Sequence, residues 1–168
     1  ADDENRRAAL MENVNTGTTF NNFEIELSVF DCWSNPMDLT GDAGVLKTII
    51  VHSPLDPEKQ SHFTPKPEDI VSVIYKGYLA SDPSIVFDEQ AIYPFRFTVG
   101  SPNVIKGWNI LALSMKVGET AKFTLLPSYA YGEAGSPPEI FPSSTIIFDI
   151  SLIAINGVTL SDATKNPN

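Results

Sequence analysis

Cysteine is nearly absent: Cys32 is the only one in 168 residues, so no disulfide can form within the chain and nothing points to an oxidising compartment. Histidine is almost as scarce. His52 and His62 are the only two, and with a single thiol they give no zinc-ligand spacing, so neither a metal nor another cofactor is expected. No stretch approaches the ~18 apolar residues of a membrane span. The opening Ala1-Asp-Asp-Glu-Asn-Arg-Arg7 has no apolar run behind it, unlike a secretory signal. These absences predict a soluble protein of the cytoplasm or nucleus, without membrane partners. The missing initiator methionine and the end at Asn168 predict a piece of a longer chain. Catalytic signatures are missing too: there is no G-x-S-x-G, no G-x-x-x-x-G-K, no H-E-x-x-H and no useful Cys/His pair, which leaves hydrolase and nucleotide chemistry unsupported.

Positive charge is the last shortage. Eleven Lys and Arg stand against 21 Asp and Glu, a net charge of −10. Nine of the acids precede Val45, where the only bases are Arg6 and Arg7, so that part carries −7 and the rest −3. Neither part has the basic stripe that neutralises phosphates, which argues against nucleic-acid binding.

What is present is enough apolar material, 42% of residues, for one buried core. Residues 1–43 read as an acidic N-terminal extension. Its first 22 residues are polar, rich in Asn and Thr and without an apolar period, which predicts disorder, with at most a short helix over Arg6 to Val14. Phe23-Glu-Ile-Glu-Leu-Ser-Val-Phe30 alternates with period two and predicts either an added edge strand or an acidic-hydrophobic segment that docks on a partner.

The β-branched run Val45 to Val51 predicts a strand, followed by an irregular loop enforced by Pro54, Pro57, Pro65 and Pro67. Further strands are expected at about Ile70 to Leu79, Phe95 to Val99, Thr120 to Leu126 and Thr145 to Ile155. Ser101-Pro-Asn103 reads as the start of the one convincing helix, with Val104, Ile105, Trp108, Leu111 and Met115 on a shared face. Pro127 to Ser144 is an 18-residue connection with four prolines and two glycines, and structureless loops of that length in compact domains are usually functional. Residues 157–168 read as a tail or linker.

An excess of aromatic and aliphatic residues lies beside Gly and Pro. Val104-Ile-Lys-Gly-Trp108, Met115-Lys-Val-Gly-Glu119, Pro127-Ser-Tyr-Ala-Tyr-Gly132 and Phe148-Asp149 occur in an order that resembles the FK506-binding (FKBP) peptidyl-prolyl isomerases over residues 44–156. The resemblance implies an α+β fold, a twisted antiparallel half-barrel sheet wrapped around one short helix. It also implies a pocket for proline-containing peptides or protein clients, and for macrolides of the FK506 and rapamycin type. Within that pocket Trp108 matches the floor, Tyr75, Phe95 and Phe148 the aromatic walls, and Val104 and Ile105 the lip. The Ile105 backbone N–H and the Tyr131 phenol match the family's donors to ligand carbonyls, Phe87-Asp88 matches its Phe-Asp pair, and Ile140 an apolar contact of the lid.

Two departures from the family accompany the match. Phe87-Asp-Glu-Gln-Ala-Ile-Tyr-Pro-Phe95 is about two residues shorter than in typical active relatives and lacks the arginine that pairs there with the aspartate. Glu89 instead sets a like charge beside Asp88. In the lid, Ser136-Pro-Pro-Glu-Ile-Phe141 is similar to multidomain FKBPs that act as co-chaperones, through tetratricopeptide repeats beyond the isomerase domain that engage a heat-shock chaperone. The resemblance therefore implies a prolyl isomerase, and the departures leave a binding module with weak or lost catalysis as the alternative.

Overall fold

The computed structural model of the chain describes residues 35–165. The disorder, short helix and Phe23–Phe30 strand expected of the N-terminal extension lie outside the described residues. Seven antiparallel strands form one open sheet: β1 (Met37–Asp38), β2 (Val45–Val51), β3 (Ile70–Leu79), β4 (Val86–Thr98), β5 (Thr120–Leu125), β6 (Ile146–Ile155) and β7 (Val158–Thr159). Their spatial order is β1-β2-β5-β6-β3-β4, with β7 pairing the end of β6. Among the described residues the helices are α1 (Pro57–Gln60), a single turn, α2 (Lys106–Ser114) and α3 (Leu160–Lys165).

The central strands obey their sequence pattern. In β6, Ile146, Phe148, Ile150 and Leu152 are buried while the residues between them are partly open, and in β5 Ala121, Phe123 and Leu125 do the same. A period of two puts these side chains on one face, and α2 covers that face with Trp108, Leu111 and Ala112. Gly107 lets the helix come close, because a Cβ there would overlap the Leu125 side chain.

β2 carries a lysine on its core side. Lys47 is buried, and its Nζ lies 2.6 Å from Glu119 Oε1 and donates to the Ser114 carbonyl at 2.6 Å. The contact with Oε1 is one of charge, without the direction of a hydrogen bond. Ser114 is the last residue of α2, so the ammonium satisfies an orphan carbonyl at the negative end of the helix and ties that end to the sheet. Burial holds the Lys47 pKa below its ordinary value despite the carboxylate beside it.

Several segments differ from their expected form. The strand expected at Phe95 runs back to Val86, because the residues after the turn pair with β3 before and after an irregularity. The helix begins at Lys106 and not at Ser101–Asn103, since Ile105 is extended (φ −59°, ψ 149°) and serves as its N-cap. Val104 and Ile105 therefore precede the helix. The proline-rich loop contains α1 and a 3-10 turn at Ser61–Phe63. Residues 158–165 form β7 and α3, with Ala163 buried and Leu160 packed on the core, so the domain continues past residue 156.

Candidate functional site

Strands β3, β4 and β6 and the start of α2 converge on a cavity of about 280 Å3. That is the small end of the range for ligand pockets and suits one residue with its neighbours. Trp108 forms its floor. The indole is 5% exposed, and its buried N–H has no acceptor among the described residues.

Three rings stand nearly perpendicular to the indole: Tyr75 from β3 at 4.8 Å and 87°, Phe148 from β6 at 5.2 Å and 86°, and Phe95 from β4 at 5.7 Å and 80°. Edge-to-face pairs match the positive edge of one ring to the negative face of another, worth ~0.5–1.5 kcal/mol each beyond burial. Phe87 packs edge-on against Phe148 at 5.6 Å and Tyr131 at 6.3 Å, behind the wall. Gly77 makes room for this pair of phenylalanines, because a Cβ there would lie 2.6 Å from the Phe148 ring and 2.7 Å from the Phe87 ring.

Polar groups sit at the edge of this apolar cup. Tyr75 donates to Asp88 Oδ2 at 2.6 Å, the short distance of a phenol held by a carboxylate. Burial first, then the Asp88 bond and charge, push the Tyr75 pKa well above the ordinary phenol value. The Tyr131 phenol is raised as well, by burial and then by the charge of Asp88. Neither the Tyr131 hydroxyl nor the Ile105 backbone N–H makes a hydrogen bond among the described residues, so both are available as donors to a guest. Glu89 lies opposite Lys76 in the ladder while Asp88 lies opposite Gly77, so the two neighbouring acids have different cross-strand surroundings.

Of the residues singled out in the sequence, Tyr75, Asp88, Phe95, Val104, Ile105, Trp108, Tyr131 and Phe148 line the cavity. Phe87 supports it from outside. Ile140 does not line it: this side chain is 4% exposed and belongs to the core, held by the reciprocal Ser136 and Ile140 backbone bonds at 2.9 and 3.0 Å. Asn103 does line it, which its reading as part of a helix start had hidden.

Comparison with known proteins agrees with this geometry. Residues 62–153 match the FKBP-type peptidyl-prolyl cis-trans isomerase family. The chain is 45% identical over 120 residues to the peptidyl-prolyl cis-trans isomerase FKBP20-1 of Arabidopsis thaliana, covering 70% of this chain and 60% of that protein. It is 44% identical over 94 residues to FK506-binding protein 1A of Emericella nidulans, covering 55% of this chain and 85% of that one. Among solved structures, the three FKBP domains of wheat FKBP73 superpose with a TM-score of 0.62 at 28% identity, over 71% of this chain and 49% of that one. By its sequence and by the fold that builds this aromatic cup, the chain belongs to the FKBP-type peptidyl-prolyl cis-trans isomerase family.

Proposed function

We propose that this domain binds proline-containing peptides in the Trp108 cup and isomerises the X-Pro bond. The observation that carries the reading is the cavity itself: an apolar floor and walls, with two donors at its edge that have no partner among the described residues. Rotation about X-Pro is slow because amide resonance must be lost, a barrier of ~18–20 kcal/mol. The twisted state has less charge separation than the planar amide. A site that strips water from the carbonyl therefore favours the twisted state over the ground state, with no proton transferred. The proline ring rests on Trp108, and the Ile105 N–H and Tyr131 hydroxyl hold the flanking carbonyls, fixing the axis of rotation. Macrolides of the FK506 type, which mimic such an amide, fit the same donors.

The lid's likeness to multidomain FKBPs supports a parent protein acting as a co-chaperone, with tetratricopeptide repeats contacting a heat-shock chaperone. Exchange spectroscopy on a short X-Pro peptide tests the core reading. Turnover is expected, with Tyr131→Phe lowering kcat/KM about tenfold, the effect of one lost hydrogen bond of ~1.4 kcal/mol. Trp108→Ala should remove turnover. Peptide binding that needs Trp108 but brings no rate enhancement would instead identify a binding module.

A further inference from the structure

The two donors of the cavity come from different parts of the chain. Ile105 stands at the start of α2, while Tyr131 follows the 3-10 turn Pro127–Tyr129, and among the described residues no backbone hydrogen bond joins the two segments. Side-chain packing has to fix their separation. Tyr129 touches both segments. Its carbonyl oxygen lies against the first turn of α2, where a Cβ on Gly107 would approach it to 2.9 Å. Its ring meets the Lys106 ammonium, with 4.8 Å from Nζ to the centroid, and Lys106 directly follows Ile105. Along the chain Tyr129 is two residues from Tyr131.

The group that holds Tyr129 lies far from both in sequence. The Tyr129 hydroxyl donates to Asp42 Oδ2 at 2.8 Å. Asp42 belongs to the turn between β1 and β2, and that turn has a fixed shape. Asp38 accepts from the backbone N–H groups of Thr40, Gly41 and Ala43 at 2.9–3.0 Å, and Asp42 Oδ1 accepts from the Gly44 N–H at 2.9 Å. Gly44 leaves room for the tyrosine, because a Cβ there would overlap its ring.

Such a tie has a simpler use, closing the edge of the sheet. The pairing of β1 with β2 and the bond from the Leu126 N–H to the Gly44 carbonyl at 2.9 Å already do that. What Asp42 adds is a directional bond on a side chain placed between the two donor-bearing segments. Donors that fix an axis of rotation work only within a narrow range of positions, so small shifts in their spacing are felt in the rate.

We infer that Asp42 and Tyr129 are positioning residues of the isomerase site, which set the spacing between the Ile105 N–H and the Tyr131 hydroxyl. This rests on the reading of those two donors as holding the peptide's carbonyls. Neither Asp42 nor Tyr129 lines the cavity, and both act through the segments that do.

The test is a cycle of variants of the full chain, read by exchange spectroscopy on a short X-Pro peptide, with urea unfolding to confirm that each is folded. Tyr129→Phe keeps the ring beside Lys106 and removes the Asp42 bond. It is expected to lower kcat/KM about threefold, less than the loss of a donor itself. Asp42→Ala should do the same, while Asp42→Asn, which keeps an acceptor, should retain most of the parent rate. Once the Tyr131 hydroxyl is gone there is less left to position. Tyr129→Phe/Tyr131→Phe should therefore lose closer to about tenfold, the effect of Tyr131→Phe alone, than the about thirtyfold of two independent changes. Losses that multiply overturn the positioning role, as does a parent rate in Tyr129→Phe. Failure of the cavity reading is distinct: the parent then shows no Trp108-dependent turnover, and the positioning role falls with it.

Discussion

The floor and the rim of the cavity are built by opposite rules. Most residues that support the floor are buried and obey the periodicity of their strand or helix, from Phe148 and Ile150 on β6 to Trp108 and Leu111 on α2. At the rim, four residues of β4 answer one of β3, and Asp88, Ile92 and Tyr93 are exposed. Packing fixes the floor, so a change there is felt by the whole domain. The rim hangs on local turns and a bulge, so it can change what it recognises at little cost in stability. A floor common to the family can in this way carry different rims.

The sharpest way to break that contrast is at the anchor beneath the floor. Glu119→Leu leaves the Lys47 ammonium buried without its counter-charge and is expected to cost ~3–5 kcal/mol, read as a lower urea midpoint. Adding Lys47→Met should return most of that loss, because a well-packed apolar pair avoids desolvating both ions. The bond to the Ser114 carbonyl stays lost, worth about 1 kcal/mol. If the double variant is as unstable as the single one, the lysine acts chiefly through the helix end. Next in size is Gly77→Ala, which forces a methyl group onto the Phe148 and Phe87 rings. A cost of ~1–3 kcal/mol is expected, together with a fall in peptide affinity, since Phe148 is a cavity wall.

The same contrast decides what could be read from the residues alone. The central strands and the helix are legible because alternation in β5 and β6 and the spacing of Trp108 and Leu111 are signals imposed by burial, whereas eight of the cavity's lining residues are reached only through the motifs' resemblance to the family. Ser101-Pro-Asn103 has the composition of a cap and so hides both Asn103 and the true start of the helix, which follows the extended backbone of Ile105. Ile140 reads as a pocket contact because it lies in the lid sequence, whereas the fold buries it in the core. The bulge at Ala91 to Pro94 left no periodic trace, since extruded residues are counted in sequence but have no partner in the ladder. Residues 158–165 are short and polar by composition, and only pairing with β6 and the burial of Ala163 give them form.

The finest probe of the boundary between the two regions is Tyr75, which lines the floor with its ring and meets the rim with its hydroxyl. Tyr75→Phe keeps the ring and removes the bond to Asp88, and an expected cost of about 1 kcal/mol at neutral pH reflects a carboxylate partner open to solvent. The alkaline limb separates the two contributions. The folded-state pKa of Tyr75 lies above the unfolded value of 10.0, so its share of stability is complete below pH 10 and is lost as pH rises through the folded value. In Tyr75→Phe that loss is absent, and stability should fall more slowly above pH 10, by less than the ~1.4 kcal/mol per pH unit of one full proton. Lys47 acts with the opposite sign, because its depressed pKa makes its burial less costly as pH approaches 10.5, but it is common to both proteins and drops out of the difference. Parallel alkaline limbs for the two proteins would mean that the Tyr75 phenol titrates alike in the folded and unfolded chains, so that neither its burial nor Asp88 holds its proton.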